Sequence, residues 1–346
     1  MTPNTTTNLT MSAHHRVSLA TGKLDQDLAG PTADVSDGVF PPICVSAYVL
    51  TGPTASGKSR LAIDWARQIG GEILSLDSIA VYRHMDIGSA KPSSDEQASV
   101  PHHLIDLVNP NEEFSVACYL QAAHRLVAEI RGRGKTPIFV GGTPMYLKAI
   151  LRGFDPGPPA DPVFRNAAEE DLDRYGIEAL YARLQQVDPL AAHRIQPTDS
   201  RRMIRALEVA HLTGIPISHR QVQFEKAATT DHRNVFALAW ERSELHQRIE
   251  TRVNQMFESG LVDEVQSILD QFGSISKTAA QGVGYREVLE HLDGKWTLDQ
   301  CIEQVVFHTR RLARRQETWF RSLDEIKRIE MNQTVSAQAA LSQMEH

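Results

Sequence analysis

An apolar run from Ile43 to Leu50 gives way to a glycine-rich break, and then to a stretch, Ser59 to Gln68, whose apolar residues recur at helical spacing. This succession predicts a buried strand, a tight loop and an amphipathic helix. Glu72 to Leu76 reads as a second strand that stops at Asp77, and His103 to Val108 as a short third one. Ser115 stands as the cap of a helix running to about Arg131, closed by Gly132 and Gly134. Pro137 to Val140 is a further buried strand, followed by Gly141-Gly142-Thr143 and a helix from about Pro144 to Leu151. Strand and helix alternate, so the first half of the chain predicts a mostly parallel sheet covered by helices on both faces.

The period then changes. Asp155 to Pro162 is a stiff, proline-rich boundary, and from Val163 to about Gln223 only helical spacing is present. Asn234 to Trp240 returns to strand, and helical spacing resumes from Ser243. Asp324 to Glu330 is a last short strand, and the pattern after Met331 is weak. The expected organisation is a disordered extension (residues 1–42), a first core part (43–162), an all-helical insertion (163–231), a second core part with a helical C-terminal region (232–330) and a flexible tail (331–346). The fold class expected is α/β.

Composition narrows the chemistry only a little. The chain has 346 residues, 41% hydrophobic and 23% charged, with a formal net charge of −7. Such a balance gives no bulk attraction to nucleic acid, so any RNA surface has to be a local patch. Cys44, Cys118 and Cys301 are far apart and form no C-x-x-C pair, which argues against a zinc site or a disulfide framework and fits a reducing cytoplasm. No apolar stretch approaches membrane-spanning length. Residues 1 to about 40 lack both the apolar centre of a signal peptide and the acid-poor character of a transit peptide, and Met11 offers an alternative start.

The densest chemical signal is Gly52-Pro53-Thr54-Ala55-Ser56-Gly57-Lys58-Ser59, which fits G-x-x-x-x-G-K-[ST] between strand and helix. Glycines let backbone N–H groups face a di- or triphosphate. Lys58 adds a point charge, Ser59 a ligand for Mg²⁺, and the helix N-terminus its partial positive charge. A hydrolytic NTPase or kinase usually carries an acid at the end of a second strand to organise Mg²⁺. Here the strand 138–140 ends in Gly141-Gly142-Thr143, and the acid at a strand end is Asp77, with Tyr82 and Arg83 shortly after it.

These motifs, with Met85-Asp86-Ile87-Gly88-Ser89-Ala90-Lys91-Pro92, Pro101-His102-His103-Leu104-Ile105-Asp106, Asp199 to Glu208 and Arg314 to Arg321, resemble the tRNA dimethylallyltransferases over roughly residues 46–322. The resemblance implies a P-loop NTPase-like core and transfer of a dimethylallyl group from dimethylallyl diphosphate to N6 of adenosine 37 in tRNA. It implies that the loop Gly52 to Ser59 holds the leaving diphosphate, with Mg²⁺ at Ser59 and Thr143 donating to a phosphate oxygen. Arg242 is a candidate further diphosphate contact, or a surface arginine at a helix start. Asp77 is the candidate general base for the adenine amino group; its alternative role is capping the turn that follows. The resemblance assigns RNA contacts to Asp77, Ser78, Ile79, Ala80 and Thr143, and to Arg165. It assigns further ones to Arg201, Arg202, Met203, Ile204 and Arg205, and to Gln281, Gly282, Val283, Gly284, Tyr285 and Arg286. The last group is Arg314, Arg315, Gln316, Glu317, Thr318, Trp319, Phe320 and Arg321. The implied partners are the anticodon stem-loop of tRNA and the prenyl diphosphate, with the chain acting as a monomer.

Periodicity adds independent support in one place. From Thr297 to Arg321, Val305, Leu312 and Trp319 recur every seven residues beside Ile302, Val306, Ala313 and Phe320, with Arg310, Arg314 and Arg321 along one flank. In an acidic protein such a patch suits phosphates, although a solvated face of surface ion pairs has the same pattern. Trp319 reads as core rather than as a platform for a base. His102-His103 lacks a third ligand at metal-binding spacing and reads as structural or substrate-lining.

Three positions depart from the family pattern: Pro144 where glycine is frequent, Arg201 where glutamine is common, and Ser59 in place of threonine. Paired cysteines of a C-terminal zinc finger are absent, which points to the bacterial type. Two other readings stay open: an isopentenyltransferase acting on free adenylate, which would not need Arg314 to Arg321, and an ATP-dependent small-molecule kinase.

Overall fold

Val49 and Leu50 are fully buried, so β1 (Tyr48–Thr51) has apolar side chains on both of its faces and belongs inside a sheet. The computed structural model describes residues 38–220 and 234–344. There β1 lies between β4 (Thr136–Gly141) and β5 (Val235–Trp240), with β2 (Gly71–Leu76), β3 (His102–His103) and β6 (Lys327–Met331) outside them. The order is β3-β2-β4-β1-β5-β6, and every pairing is parallel. Parallel pairing brings the carboxyl ends of β1, β2 and β4 to one edge, where open sheets of this kind bind ligands.

Helix α1 (Lys58–Ile69) follows β1 and buries Leu61, Ala62, Trp65 and Ala66 against the sheet. Its ends are set by Gly57 and Gly70, both at positive φ (89° and 65°). Helices α2 (Ser94–Ser99), α3 (Val116–Gly132) and α4 (Pro144–Arg152) complete the first half. Ser115 caps α3 as expected, and α4 starts with Pro144 at a position where the missing N–H costs nothing. The short helix α2 has a capping box of Ser93 and Glu96 but buries no side chain, so no apolar period announced it.

Over its described residues the expected insertion is helical, and residues 221–231 of it lie outside the described residues: α5 (Pro162–Val187), α6 (Pro189–Arg194), α7 (Ser200–Thr213) and α8 (Ile217–Arg220) enclose a small core of Leu180, Leu184, Met203 and Leu207. After β5 come α9 (Arg242–Glu258), α10 (Leu261–Phe272), α11 (Tyr285–Leu292) and α12 (Leu298–Arg321), which share one apolar cluster. Among the described residues no helix is long and apolar enough to cross a membrane.

Four expectations need correction. Cys44–Ser46 form a 3-10 turn, so β1 starts at Tyr48 rather than Ile43. β3 is cut to His102–His103 because Leu104 and Asp106 take positive φ, leaving Val108 a lone bridge to Tyr82. Phe40 is buried and pairs with Phe154, so this residue of the expected extension belongs to the core, while residues 1–37 of it lie outside the described residues. Within the expected flexible tail, whose residues 345–346 lie outside the described residues, Ala337–Ser342 form helix α13, and its Ala340 and Leu341 pack with α1. Its weak pattern reflects a helix too short to show a full period.

Candidate active site

The phosphate loop is built as its composition dictates. Gly52 has φ +146°, and a Cβ there would sit 3.0 Å from the carbonyl oxygen of Leu238. Ala55 is held at φ +62°, a strained value for a residue with a side chain. Three other elements fix the loop. Trp240, at the end of β5, donates from Nε1 to the Ser56 carbonyl (2.9 Å). Arg248, on α9, donates from Nε to the Ala55 carbonyl (2.8 Å) and lies 4.2 Å above the Trp240 ring. Gln316, on α12, accepts from the Thr54 N–H (2.9 Å). The Ala55 and Ser56 carbonyls are engaged from outside and the Ser56 N–H turns back to Pro53 O (3.3 Å), which leaves the N–H groups of Gly57, Lys58 and Ser59 at the start of α1 to face an anion.

Lys58 donates to the Pro53 carbonyl at 2.7 Å. Burial, with the neighbouring Arg252 guanidinium, pushes its pKa down to about 7, while Asp77 acts in the opposite direction. A bound diphosphate would act in the same direction as Asp77, so the buried ammonium gains most when its anionic ligand arrives.

Asp77 follows β2. Its Oδ1 accepts the N–H groups of Ile79 (2.8 Å) and Ala80 (3.3 Å), so the capping role is real. Oδ2 has no hydrogen bond to it among the described residues and stays available as a proton acceptor. The hydroxyl of Thr143, after β4, accepts from the Ser78 N–H at 3.1 Å, and Thr143 N–H donates to Leu76 O at 3.2 Å. The two strand-end turns are thereby joined. Their closeness requires glycine: a Cβ on Gly141 would lie 2.2 Å from Leu76 O.

Two spaces meet at Lys58. A large cleft of about 1240 Å³ opens between the phosphate loop, α9 and the strap 86–97. A smaller cavity of about 100 Å³ is lined by Lys58, Ser59, Asp77, Gly142, Arg252 and Gln316, among others, and so connects the phosphate cradle to the carboxylate. The strap is anchored twice. Lys91, almost fully buried, donates to Asp86 (2.6 Å), Asp106 (2.7 Å) and the Tyr82 carbonyl. Glu264 accepts the N–H groups of Asp86 and Ile87 and the hydroxyl of Tyr285 (2.7 Å).

Ser59 is exposed at the second position of α1. Among the described residues no group of three His, Cys, Asp or Glu side chains could hold a metal ion. One hydroxyl beside a phosphate cradle fits Mg²⁺ as it binds with phosphate substrates, where protein ligands are few.

The other expected residues divide into three groups. Ile79, between Ser78 and Ala80, lies beside Gly282, since a Cβ there would meet its side chain at 3.2 Å, so two of the assigned RNA segments adjoin. Gln281, Arg286, Arg314, Arg315, Thr318 and Arg321 are exposed; Val283, Glu317 and Trp319 are half-buried, the last beneath Lys148. Arg201 and Arg202 are exposed at the start of α7, on the insertion.

Other assigned residues are buried, paired within the protein or away from both spaces. Met203, Ile204, Tyr285 and Phe320 have buried side chains that pack in cores, which leaves their backbone as the part that could meet RNA. Gln316 is 6% exposed and bridges Thr54 N–H to Gly142 O (2.7 Å). Arg165 and Arg205 are drawn onto the buried Glu208 at 2.6–2.8 Å, and Arg205 also donates to the carbonyls of Pro156 and Pro158. Arg242 is exposed at the first turn of α9 and lines neither space; Arg248 and Arg252 do. Burial lowers the pKa of Arg252, and Asp77 opposes that shift. These two arginines went unread, yet a signal was present: they stand immediately before Ile249 and Val253, on the edge of the buried stripe of α9.

Comparison with known proteins places this geometry in a lineage. The family model described as IPP transferase matches residues 80–323. A tRNA dimethylallyltransferase of Rhodopirellula baltica is 58% identical over 302 residues, covering 85% of this chain and 90% of that protein. One from Geobacter sulfurreducens is 45% identical, covering 82% and 91%. The crystal structure of the tRNA isopentenylpyrophosphate transferase of Bacillus halodurans aligns with a TM-score of 0.63 at 38% identity, over 86% of this chain and 93% of that one. A eukaryotic dimethylallyltransferase captured acting on tRNA aligns at 0.69 and 26% identity, over 86% and 77%. The chain belongs to the IPP transferase family, among the tRNA dimethylallyltransferases.

Proposed function

We propose that the chain transfers a dimethylallyl group from dimethylallyl diphosphate to N6 of adenosine 37 in tRNA, releasing diphosphate. The observation that carries this reading is the single small cavity bordered by both Lys58 and Asp77. Such a space suits a reaction in which a diphosphate leaves one end of a short group while a nucleophile is deprotonated at the other.

The free N–H groups of the loop, Lys58, Arg248 and Arg252 stabilise the charge that grows on the departing diphosphate as the allylic C–O bond breaks. Mg²⁺, held by Ser59 and the phosphate oxygens, would supply further neutralisation there. The adenine amino nitrogen forms the new C–N bond, and one of its protons passes to Asp77 Oδ2. The turn 77–80 keeps that carboxylate oriented while its other oxygen stays bonded to backbone N–H groups.

A stacked adenine cannot reach this position, so the base has to leave the anticodon loop. On this reading exposed Arg314, Arg315 and Arg321 supply phosphate contacts, exposed Gln281 and Arg286 add further RNA contacts, and Arg201 and Arg202 meet the stem from the insertion. On this reading the chain acts as a monomer in the cytoplasm. The purified protein, given Mg²⁺, dimethylallyl diphosphate and unmodified tRNA, should yield prenylated adenosine by nucleoside mass spectrometry. Prenylation of AMP instead would favour the free-adenylate reading, and label transfer from the γ-phosphate of ATP the kinase.

A further inference from the structure

The transfer reading requires that something fill the small cavity. The diphosphate lies against Lys58 and Ser59, the attacking nitrogen lies against Asp77, and the five-carbon group has to span between them. All three residues border the same space of about 100 Å³. Beside polar residues such as Ser75, Lys91 and Gln316, its wall has an apolar part: Ala62 from α1, Ile73 from β2, Val140 from β4 and Ile105 from the turn after β3. His102 completes that side. Its Nδ1 lies 2.7 Å from the Val100 carbonyl oxygen, which only accepts, so the proton is on Nδ1. Burial holds the His102 pKa below its ordinary value, with the bond to Val100 acting the other way, so the ring is neutral at physiological pH. A neutral ring tolerates a developing allylic cation, whereas an imidazolium would repel it.

We propose that His102 and Ile105 form the wall that sets donor length, admitting a five-carbon prenyl group and excluding a ten-carbon one; this assignment rests on the transfer reading above. Size supports it. A dry protein cavity of roughly 150 Å³ takes a six-carbon ring, or roughly 25 Å³ per carbon. At that figure the observed volume of about 100 Å³ holds about four carbons, close to a five-carbon group and less than half of what ten need. The strap holds this wall in place, because Lys91 ties Asp106, next to Ile105, to Asp86.

The test compares kcat/KM for tRNA prenylation with geranyl diphosphate and with dimethylallyl diphosphate. In Ile105→Ala and in His102→Ala the ten-carbon to five-carbon ratio should rise at least about 10-fold over wild type, a step expected when space for even one methylene opens. Ile105→Phe should cut use of the five-carbon donor at least about 10-fold while inorganic diphosphate binds as in wild type. The two alanine variants are independent, so failure of one to fold leaves the other to decide. Folded alanine variants that use the five-carbon donor and still refuse the ten-carbon one would overturn the assignment and place the prenyl group in the larger cleft. A wild-type protein that prenylates tRNA from neither donor would instead remove the transfer reading itself.

Discussion

Gln316 donates from Nε2 to the carbonyl oxygen of Gly142 at 2.7 Å, across a sequence separation of 174 residues. Its Oε1 simultaneously holds the Thr54 N–H. One amide thus joins the phosphate loop to the turn after β4, and the fit is tight, for a Cβ on Gly142 would lie 2.6 Å from Nε2. Gln316→Ala should lower kcat/KM for the prenyl donor by about 10-fold, the scale of one lost buried hydrogen bond and one orphaned N–H. The affinity for tRNA, measured by filter binding, should stay within twofold. A large loss of tRNA affinity with an intact donor KM would return Gln316 to the RNA.

Asp77 combines two tasks that one substitution can separate. Asp77→Asn keeps an Oδ1 acceptor for the Ile79 and Ala80 N–H groups but removes the proton acceptor. Single-turnover prenylation should drop by roughly 10²–10⁴-fold, with thermal stability nearly unchanged and tRNA affinity within an order of magnitude. Retained turnover would leave Asp77 with capping alone.

Much of this site could be read from residue order, and the part that could not has a physical reason. Asp77, Thr143 and the phosphate loop stand directly after apolar runs, so strand ends announced them. Arg248, Arg252 and Gln316 stand inside helices, where position matters only once the helix has been rotated against its neighbours. For Gln316 the rotation was available: Ala313, Gln316 and Phe320 share one face, so a polar side chain sat on a buried stripe. The buried side chains of Met203, Ile204, Tyr285 and Phe320, inside segments assigned to RNA, show the converse. A motif is contiguous in sequence, but on a helix only some of its side chains reach solvent. The short β3 and α13 carried too few residues for any period to emerge.

Glu208 makes the insertion sensitive to acid. It is fully buried, and burial alone would raise its pKa; hydrogen bonds from Arg165, Arg205 and the Asp161 N–H outweigh this and hold it below its ordinary value of 4.5. A depressed carboxylate contributes its stabilisation fully above that ordinary value, and loses it as pH falls through the lower folded-state value. Glu208→Gln should destabilise the protein by about 2 kcal/mol at pH 7, less than for a fully buried pair because Arg165 is partly exposed. It should also flatten the acid limb of the stability profile measured by urea denaturation. An unchanged limb would assign the acid sensitivity elsewhere.

Gly141 tests the sheet edge. Its missing Cβ lets the turn pass Leu76, and Gly141→Ala has to displace backbone by more than a side-chain rotation can absorb. A loss of about 3 kcal/mol in stability is expected by chemical denaturation, together with loss of activity. A stable, active variant would show that β2 and β4 can separate at this end.

Arg314 and Arg315 test the RNA face. Replacing both with alanine should weaken tRNA binding and reduce the slope of log K against log salt by about 1.4, roughly 0.7 for each phosphate that is no longer neutralised. Equal slopes in variant and wild type would make them ordinary surface cations.

The packing of α13 on α1 has a consequence for biosynthesis. The residues that grip phosphate are translated early, but the helix carrying Lys58 and Ser59 rests on Ala340 and Leu341, and the loop ahead of it waits for Gln316. A nascent chain therefore exposes its glycine-rich segment long before it can close around an anion. Ribosome-bound fragments ending short of residue 316 should have no grip on diphosphate.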